Sequence, residues 1–562
     1  MNLPAHLDLI AAAPDGIRKL RGLILELAVR GKLVAQDPSD EPAGELLKRV
    51  DAERRQLKLP PVPPVDDAAG PFSIRDGWKW LRFGDVAQHN SGKTLDKGRN
   101  TGHARRYITT SNLYWGRFDL ANVREMLIRD DELDRCTARR NDLLICEGGE
   151  AGRAAVWDRE EEICFQNHVH RARFFAGINP YYAYRIFQRT DLSGEINQFR
   201  KGVGISNLSG KALASIPFPL PPLAEQHRIV AKVDELMALC DRLEAEQADA
   251  DAAHARLVDT LLGTLTQSAD AAELAANWQR LAEHFDTLFT TETSLDALKQ
   301  TILQLAVMGK LVPQDPNDEP ASELLKRIGR ERKRLVAEGR IKESKSLPQV
   351  NEGERPFVLP TGWLWQRLDE LLAISGGVTL GRKVVGRTLV SKPYLRVANV
   401  QRGHLLLDQI KTVEIPEEEL SKYRLQSGDL LITEGGDWDK VGRTAIWEDE
   451  IEECLHQNHV FRARPLSGEW NCHWAEMYLN ATPARTYFAA SAKQTTNLAS
   501  INMTQLKACP FPVPPLAEQH RIVAKVDELL ALCDRLRADL ATSRAKQERL
   551  AAALIESALQ AA

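Results

Sequence analysis

The chain has 562 residues, of which 43% are hydrophobic and 27% charged, with a formal net charge of −4 at pH 7. A chain of this length is too long to fold around a single hydrophobic core, so several domains are predicted. The overall charge does not indicate nucleic-acid binding. No apolar run reaches the length of a membrane span, and Met1–Asp8 has no secretory signal pattern. The eight cysteines form no CxxC pair, which argues against a zinc ribbon, and we expect a cytoplasmic protein with reduced thiols.

Residues 1–60 predict an N-terminal helical region. The pattern of Ile17–Leu57 is helical, but a turn ending in Asp37-Pro38 interrupts it, because the residue before a proline disfavours helical geometry. The proline-rich stretch 60–64 predicts a stiff linker into the next domain.

Residues 71–217 mix short β-rich runs with glycine turns and predict an α+β domain. Between Ser91 and Arg117 the only acid is Asp96. Basic side chains interleaved with amides and hydroxyls can contact phosphates and base edges, although a solvated basic surface is the alternative. The candidate DNA contacts here are Lys93, Thr94, Lys97, Arg99, Arg105, Arg106 and Asn112.

A spacer helix is predicted over 218–265. Apolar residues recur at heptad positions from Ile229 to Leu257, with a second row from Val233 to Leu261. Two such rows favour a coiled coil over a short amphipathic helix, and an ordinary core helix of a bundle remains the alternative. Residues 266–345 predict an additional helical region that repeats the N-terminal one, except that 261–294 has no counterpart in the other half of the chain.

The second α+β domain is predicted over 355–512, followed by a C-terminal spacer helix over 513–562. Its stretch Ser375–Leu407 contains no acid at all. The candidate DNA contacts here are Arg382, Lys383, Arg387, Arg396 and Asn399.

The chain contains a tandem duplication of one long unit. The sequence of residues 27–49 is repeated, with a few substitutions, at 305–327. The sequence of residues 221–243 is repeated at 514–536, where Met237 is replaced by Leu530 as the only difference. Between these anchors the copies diverge but keep a Gly-Trp pair, a Glu-Gly-Gly turn and a Gln-Asn-His triplet. Near-identical helices suit two copies of one partner or self-complementary packing, whereas diverged domains suit two different ligands.

Several motifs resemble catalytic ones and fail on inspection. Ser91-Gly92-Lys93-Thr94 lacks the earlier glycine of a phosphate-binding loop. Asn179-Pro180-Tyr181-Tyr182 resembles an adenine methyltransferase signature without its second proline, and predicts a helix start instead. Glu331-Arg332-Lys333 matches the ExK pattern of nucleases but lies in a predicted charged helix. His168 and His459 are interpreted as structural hydrogen-bonding residues.

The combination of these residues resembles the specificity subunit of type I restriction-modification systems. PPLAEQHRIVAKVDEL follows a variable domain twice, and the Gly-Trp pairs, the Glu-Gly-Gly turns and the GKLVxQDPxDEPA stretches match as well. The resemblance covers nearly the whole chain. It implies two target-recognition domains in a pseudo-two-fold arrangement, separated by long antiparallel coiled-coil helices.

The resemblance also implies the partners and the chemistry. Each domain would read one half of a split, asymmetric sequence in double-stranded DNA. The helices would dock two modification subunits, and restriction subunits would join through them. S-adenosylmethionine, ATP and Mg²⁺ would then belong to these partners, with no cofactor, metal or catalytic residue in this chain. The competing classes are an enzyme, either a methyltransferase or a fused nuclease-methyltransferase, and a DNA-binding scaffold or decoy without modification subunits.

Overall fold

The computed structural model describes residues 7–63, 70–96, 98–202, 206–343, 346–381, 385–436, 440–494 and 499–561. Contacts divide the chain into two compact units. The first unit comprises Met1–Ala250 with Thr542–Ala562, and the second comprises Asp251–Ala541. Each unit therefore combines one copy of the duplicated sequence with a helical segment from the other copy.

The first unit starts with helices, continues as a strand-rich domain and ends in a long helix. Its helices are α1 (Leu7–Ala11), α2 (Gly16–Val29), α3 (Ala43–Gln56), α4 (Phe83–Val86), α5 (Leu133–Cys136), α6 (Pro180–Leu192), α7 (Gly210–Ala214) and α8 (Leu223–Gln267), whose residues from Asp251 onward belong to the second unit. Its strands are β1 (Lys79–Arg82), β2 (Ala87–Ser91), β3 (His103–Ile108), β4 (Leu113–Tyr114), β5 (Arg117–Phe118), β6 (Arg124–Ile128), β7 (Thr137–Ala138), β8 (Leu143–Cys146), β9 (Ala154–Val156), β10 (Ile163–Phe165), β11 (Val169–Phe174) and β12 (Pro217–Leu220).

The second unit repeats this plan. Its helices are α9 (Ala271–Glu283), α10 (Phe285–Leu288), α11 (Glu292–Val307), α12 (Ala321–Ala337), α13 (Leu420–Tyr423), α14 (Cys472–Asn480), α15 (Thr482–Ser491), α16 (Met503–Lys507) and α17 (Leu516–Ala561), whose residues from Thr542 onward belong to the first unit. Its strands are β13 (Leu364–Arg367), β14 (Leu372–Ser375), β15 (Leu389–Leu395), β16 (Lys411–Pro416), β17 (Asp429–Thr433), β18 (Gly435–Gly436), β19 (Thr444–Trp447), β20 (Leu455–His456), β21 (Val460–Pro465), β22 (Lys493–Gln494), β23 (Ala499–Ser500) and β24 (Pro510–Val513).

Two sheets form the scaffold of each strand-rich domain. In the first unit an antiparallel sheet has the order β2-β11-β8-β9, and a mixed sheet has the order β6-β3-β10-β7 with β3 and β10 parallel. The second unit has β14-β21-β17-β19 and β16-β15-β20, with β15 and β20 parallel. A further pair, β1-β12 or β13-β24, joins the two ends of each domain just before its long helix.

One of the two inner strands of the antiparallel sheet is buried on both faces in each unit, β8 (Leu143–Cys146) in the first and β17 (Asp429–Thr433) in the second. The apolar runs Leu143–Cys146 and Leu430–Ile432 fit this burial, because neither face of the strand meets water. The mixed helix-and-strand character expected of both domains is confirmed.

The long helices α8 and α17 are continuous over 45 and 46 residues. In the first unit Ile229, Val233 and Cys240 of α8 pack in the core beside α2. In the second unit Val258 and Leu262 near the end of α8 pack with α11. The apolar heptad positions of α8 therefore contribute side chains to the hydrophobic cores of both units. In the described part of the chain no helix combines the length and apolar character needed to cross a membrane.

Residues 261–294, which lack a counterpart in the other half, form the end of α8, α9, α10 and the start of α11. Leu281, Leu288 and Phe289 of this segment are buried in the core of the second unit. The segment therefore completes a helical core in addition to connecting α8 to α11.

Candidate nucleic-acid interface

Four loops of the first unit meet at one end of its antiparallel sheet. We call this set the first loop cluster: Ser91–Thr94, Glu147–Arg153, Gln166–His168 and Ser206–Leu208. Backbone hydrogen bonds join them: Asn167 N donates to Lys93 O at 3.0 Å, Glu147 N to His168 O at 2.8 Å, and Leu208 N to Glu147 O at 2.7 Å. The Glu-Gly-Gly turn and the Gln-Asn-His triplet, distant in sequence, are thereby brought together.

The second unit builds the same arrangement, the second loop cluster: Gly376–Val378, Glu434–Gly436, Gln457–His459 and Ala499–Ile501. Asn458 N donates to Val378 O at 3.0 Å, Glu434 N to His459 O at 3.0 Å, and Ile501 N to Glu434 O at 2.9 Å. The duplicated landmarks therefore specify one backbone design at matching places in both units.

Gly92 and Gly377 occupy corresponding positions in the two clusters because the neighbouring chain approaches too closely for a side chain. A Cβ on Gly92 would lie 2.0 Å from Phe165 O, and one on Gly377 would lie 2.0 Å from His456 O. The close approach of the two chain segments thus explains the glycine of the Ser91-Gly92-Lys93-Thr94 motif.

The predicted basic contacts of the first domain have acidic neighbours. Lys93 forms an ion pair with Glu132, Arg105 lies 3.3 Å from Asp130, and Arg106 lies 4.0 Å from Glu161. Arg99 is highly exposed with Asp96 3.8 Å away, Thr94 is exposed, and Lys97 lies outside the described residues. The basic surplus of the linear sequence is therefore largely offset by acids from other segments.

The second domain gives a similar result. Arg387 lies 3.3 Å from Glu418 and 3.2 Å from Glu419. Arg396 donates from its guanidinium to Gln409 O at 2.9 Å. Arg382 and Lys383 lie outside the described residues.

Asn112 and Asn399 are buried and play the same part in the two domains. Asn112 Oδ1 accepts from Thr109 N at 3.0 Å, and Asn399 Oδ1 accepts from Arg396 N at 2.9 Å. Each Nδ2 donates to the carbonyl seven residues later, Asp119 O at 3.0 Å and Leu406 O at 2.8 Å. Both amides, predicted as DNA contacts, are engaged in closing a turn.

The arginines that follow each Gln-Asn-His triplet are structural. Arg173 makes two hydrogen bonds to buried Asp142, at 2.9 and 2.8 Å, and Arg464 makes two to buried Asp429, at 2.7 and 2.6 Å. Burial lowers the pKa of Arg462 to about 10. These charges hold the antiparallel sheets together, and sequence reasoning had not assigned them this role.

The triplet histidines stand at the surface of the loop clusters. His168 and His459 are both exposed, and the Nδ1 of His459 lies 2.6 Å from Glu434 Oε2. The hydrogen-bonding interpretation of His459 is confirmed, with the Glu-Gly-Gly glutamate as its partner. Within the described ranges no group of histidine, cysteine and carboxylate side chains could hold a metal ion.

Comparison with known proteins decides the family. The description "Type I restriction modification DNA specificity domain" matches residues 75–250 and again 360–542. The chain belongs to the type I specificity subunits. The EcoAI specificity subunit of Escherichia coli is 38% identical over 97% of this chain and 94% of its own length, and the EcoEI specificity subunit of Escherichia coli is 35% identical over the same shares. A solved chain of a type I R-M system aligns at 19% identity with a TM-score of 0.49, over 87% of this chain and 99% of that chain.

As a specificity subunit, the chain is a non-catalytic recognition component, and the motifs set aside above have structural explanations. Asn179 caps α6, since its Oδ1 accepts from Tyr181 N at 2.9 Å and Pro180 occupies the first turn. Glu331 lies on α12 and pairs with Arg334 of the same helix.

The near-identical anchors of the specificity subunit have an internal role that their sequence did not reveal. Trp78 Nε1 donates to buried Glu225 at 3.0 Å, and Trp363 Nε1 donates to buried Glu518 at 2.8 Å. Burial raises the pKa of both glutamates. One turn farther along α8 and α17, an arginine of each helix forms an ion pair with an aspartate of the QDPxDEP loop. The pairs are Arg228 with Asp40 and Arg521 with Asp318. The joint repetition of Gly-Trp, QDPxDEP and PPLAEQHR was the available signal for these contacts.

Proposed function

We propose that this specificity subunit selects the DNA target of a type I restriction-modification complex, with each unit reading one half of a bipartite, asymmetric duplex sequence. The matching loop clusters carry this proposal. Their backbone plan is the same, but their side chains differ: Lys93 forms a β-bridge with Gln166 in the first cluster, and Val378 forms the corresponding bridge with Gln457 in the second. One scaffold with different side chains suits two readers of different sequences.

We infer further that α8 and α17 form the spacer between the readers, in the antiparallel pseudo-two-fold arrangement that the sequence predicted. α8 starts in the first unit and ends in the second, whereas α17 starts in the second and ends in the first. An antiparallel pair of helices would account for this exchange of helix ends. A two-fold relation would present both loop clusters to one continuous duplex.

The duplicated helix starts supply the proposed docking surfaces for two modification subunits. We define the docking faces as the exposed residues Ala224, Ala231 and Glu235 with Gln36–Pro38 in the first copy, and Ala517, Ala524 and Glu528 with Gln314–Pro316 in the second. Identical exposed residues on corresponding helices suit two copies of one partner. Restriction subunits would join through these partners in the cytoplasm, and S-adenosylmethionine, ATP and Mg²⁺ would bind to the partner subunits.

The test is a domain exchange in cells that co-express the chain with its neighbouring modification subunit. Replacing residues 71–217 with the equivalent domain of a related specificity subunit should change one half of the methylated sequence mapped across the genome. Replacing residues 355–512 should change only the other half, and so serves as the reciprocal control. If either exchange altered both halves, independent reading by the two units would be wrong.

Activity assays on the purified chain and binding assays with the modification subunit distinguish the competing classes. We expect the purified subunit to methylate no DNA with S-adenosylmethionine and to cut none with ATP and Mg²⁺. Methyl transfer by the pure chain would favour an enzyme. Failure to bind the modification subunit, with DNA binding retained, would favour a scaffold or decoy.

A further inference from the structure

A short hairpin, β4–β5, stands beside the first loop cluster. Leu113 pairs with Phe118 and Tyr114 with Arg117. The turn is held from three sides: Asn112 closes its base, Gly116 N donates to Ala154 O at 3.0 Å, and Trp115 packs against Tyr184 with ring centroids 6.2 Å apart. These contacts fix the hairpin backbone relative to the sheet.

The hairpin carries an aromatic ring contacted by two guanidinium groups. Tyr114 is 36% exposed, and the guanidinium carbons of Arg117 and Arg153 lie 4.5 and 5.2 Å from its ring centroid. Arg153 is the last residue of the Glu147–Arg153 loop and also donates to Thr110 O at 2.8 Å. The hairpin therefore adjoins the first loop cluster.

The charges of the two arginines differ in their surroundings. Arg153 is mostly buried and lies 2.8 Å from Glu150. Arg117 is exposed, and across the described ranges its guanidinium forms no ion pair with a carboxylate. Unlike Lys93, Arg105 and Arg106, it therefore does not have to give up an acidic neighbour before it contacts another group.

The second unit presents a corresponding turn with other residues. Asn399 closes its base, Gly403 N donates to Thr444 O at 3.0 Å, and Arg443 donates to Gln401 Oε1 at 2.6 Å. Gln401 and His404 thus stand where the first unit has Tyr114 and Arg117. The scaffold is retained while the tip changes, as expected of a position that distinguishes two half-sites.

We propose that Arg117 is a specificity-determining residue that reads a guanine in the half-site of the first unit. A guanidinium is planar and can donate two hydrogen bonds to guanine O6 and N7. Stacking on Tyr114 restricts that plane before DNA arrives, which lowers the entropic cost of contact. This proposal rests on the proposed function, since it assumes that the first loop cluster faces DNA.

The experiment uses the complex of the chain with its modification subunit and a library of duplexes with a random region of about 40 base pairs. Bound duplexes are selected and sequenced for wild type, Arg117→Ala, Arg117→Lys and Tyr114→Leu. Arg117→Ala should lose about 10- to 100-fold discrimination at one guanine position of one half-site. Arg117→Lys should lose part of this discrimination, because a lysine ammonium cannot donate two parallel hydrogen bonds to guanine as a guanidinium can. Tyr114→Leu should weaken the preference for guanine at the same position.

Arg159→Ala is the matched control, because the Arg159 guanidinium lies over the ring of Trp157 at 5.8 Å, beyond the other end of β9. It should leave both half-sites unchanged. A wild-type selection without a split sequence would overturn the proposed function itself. A split wild-type sequence that Arg117→Ala leaves unchanged, or binds uniformly more weakly with no loss at one position, would overturn only the role of Arg117.

Discussion

Glu476 on α14 is a carboxylate whose surroundings disfavour its charge. Burial raises its pKa from an ordinary value of 4.5 to about 7, and the nearby Glu448 and Asp527 act in the same direction. Its Oε1 accepts from Ile446 N at 3.1 Å. Because the pKa of Glu476 is raised in the folded state, the contribution of this residue to the free energy of unfolding is fully present below pH 4.5. That contribution is lost as the pH rises through about 7.

Glu476→Gln should therefore stabilise the second unit at pH 8 by about 1–3 kcal/mol, after allowance for partial exposure, and by much less at pH 5. Glutamine keeps an oxygen for Ile446 N but never ionises. The measurement is thermal unfolding of the whole chain at both pH values, with exposed Glu452→Gln as the control. An equal shift for Glu476→Gln at both pH values would contradict the assignment.

The site residues illustrate what a linear sequence can reveal at this scale. The sequence located the duplicated landmarks correctly, and Asn112 and Asn399 do occupy equivalent positions. It could not foresee that Glu132 and Glu161, distant in sequence, would lie beside Lys93 and Arg106. Charge counts along a chain ignore acids that folding brings from other segments, which is why Arg117 stands out only in three dimensions.

The long helices were the elements most readily predicted, because a 3.5-residue apolar period over many turns has few alternatives. The same pattern could not tell which surface each apolar residue meets. Ile229 and Val233 pack in the first unit's core, whereas Leu257 is half exposed. Core packing and a helix–helix seam require similar residues, so periodicity alone does not separate them.

The docking faces on α8 and α17 give a prediction about stoichiometry. Ala231→Arg or Ala524→Arg alone should leave one modification subunit bound, since each places a large charged side chain on one exposed face. The double variant should bind none, with affinity at each altered face reduced by at least about 10-fold, or 1.4 kcal/mol. Arginine is a good helix former, so the helices should persist.

Native mass spectrometry of the co-expressed complex counts the bound subunits directly. Ala252→Arg, at an exposed position farther along α8, is the control and should retain two. Retention of two modification subunits by the double variant would place docking elsewhere on the chain.

At the scale of the whole molecule, the duplication predicts that each half repeats a fold, and the matching sheets and loop clusters confirm this. The heptad pattern by itself does not indicate which unit each helix end joins: the end of α17 belongs to the first unit and the end of α8 to the second. Local patterns specify elements and their buried faces, whereas such an exchange depends on contacts between residues hundreds of positions apart, such as Lys19 with Glu548.

If α8 and α17 act as the spacer, their length should set the number of unread base pairs between the half-sites. Inserting four helix-forming residues after Gln247, with a matching insertion after Leu540, adds roughly one turn, or about 6 Å, to each helix. At about 3.4 Å per base pair the gap should lengthen by one or two base pairs while both half-sites stay unchanged. The middle of α8 tolerates this best because residues 244–253 are exposed.

Genome-wide mapping of methylated sites, in cells carrying the paired insertion and the modification subunit, measures the gap directly. Four residues inserted after exposed Gly339, between α12 and β13, provide the control, because that loop lies outside both long helices. The control should retain the wild-type gap and both half-sites. A paired insertion that methylates fully with the original gap would mean that the separation of the half-sites is set by contacts other than those of α8 and α17.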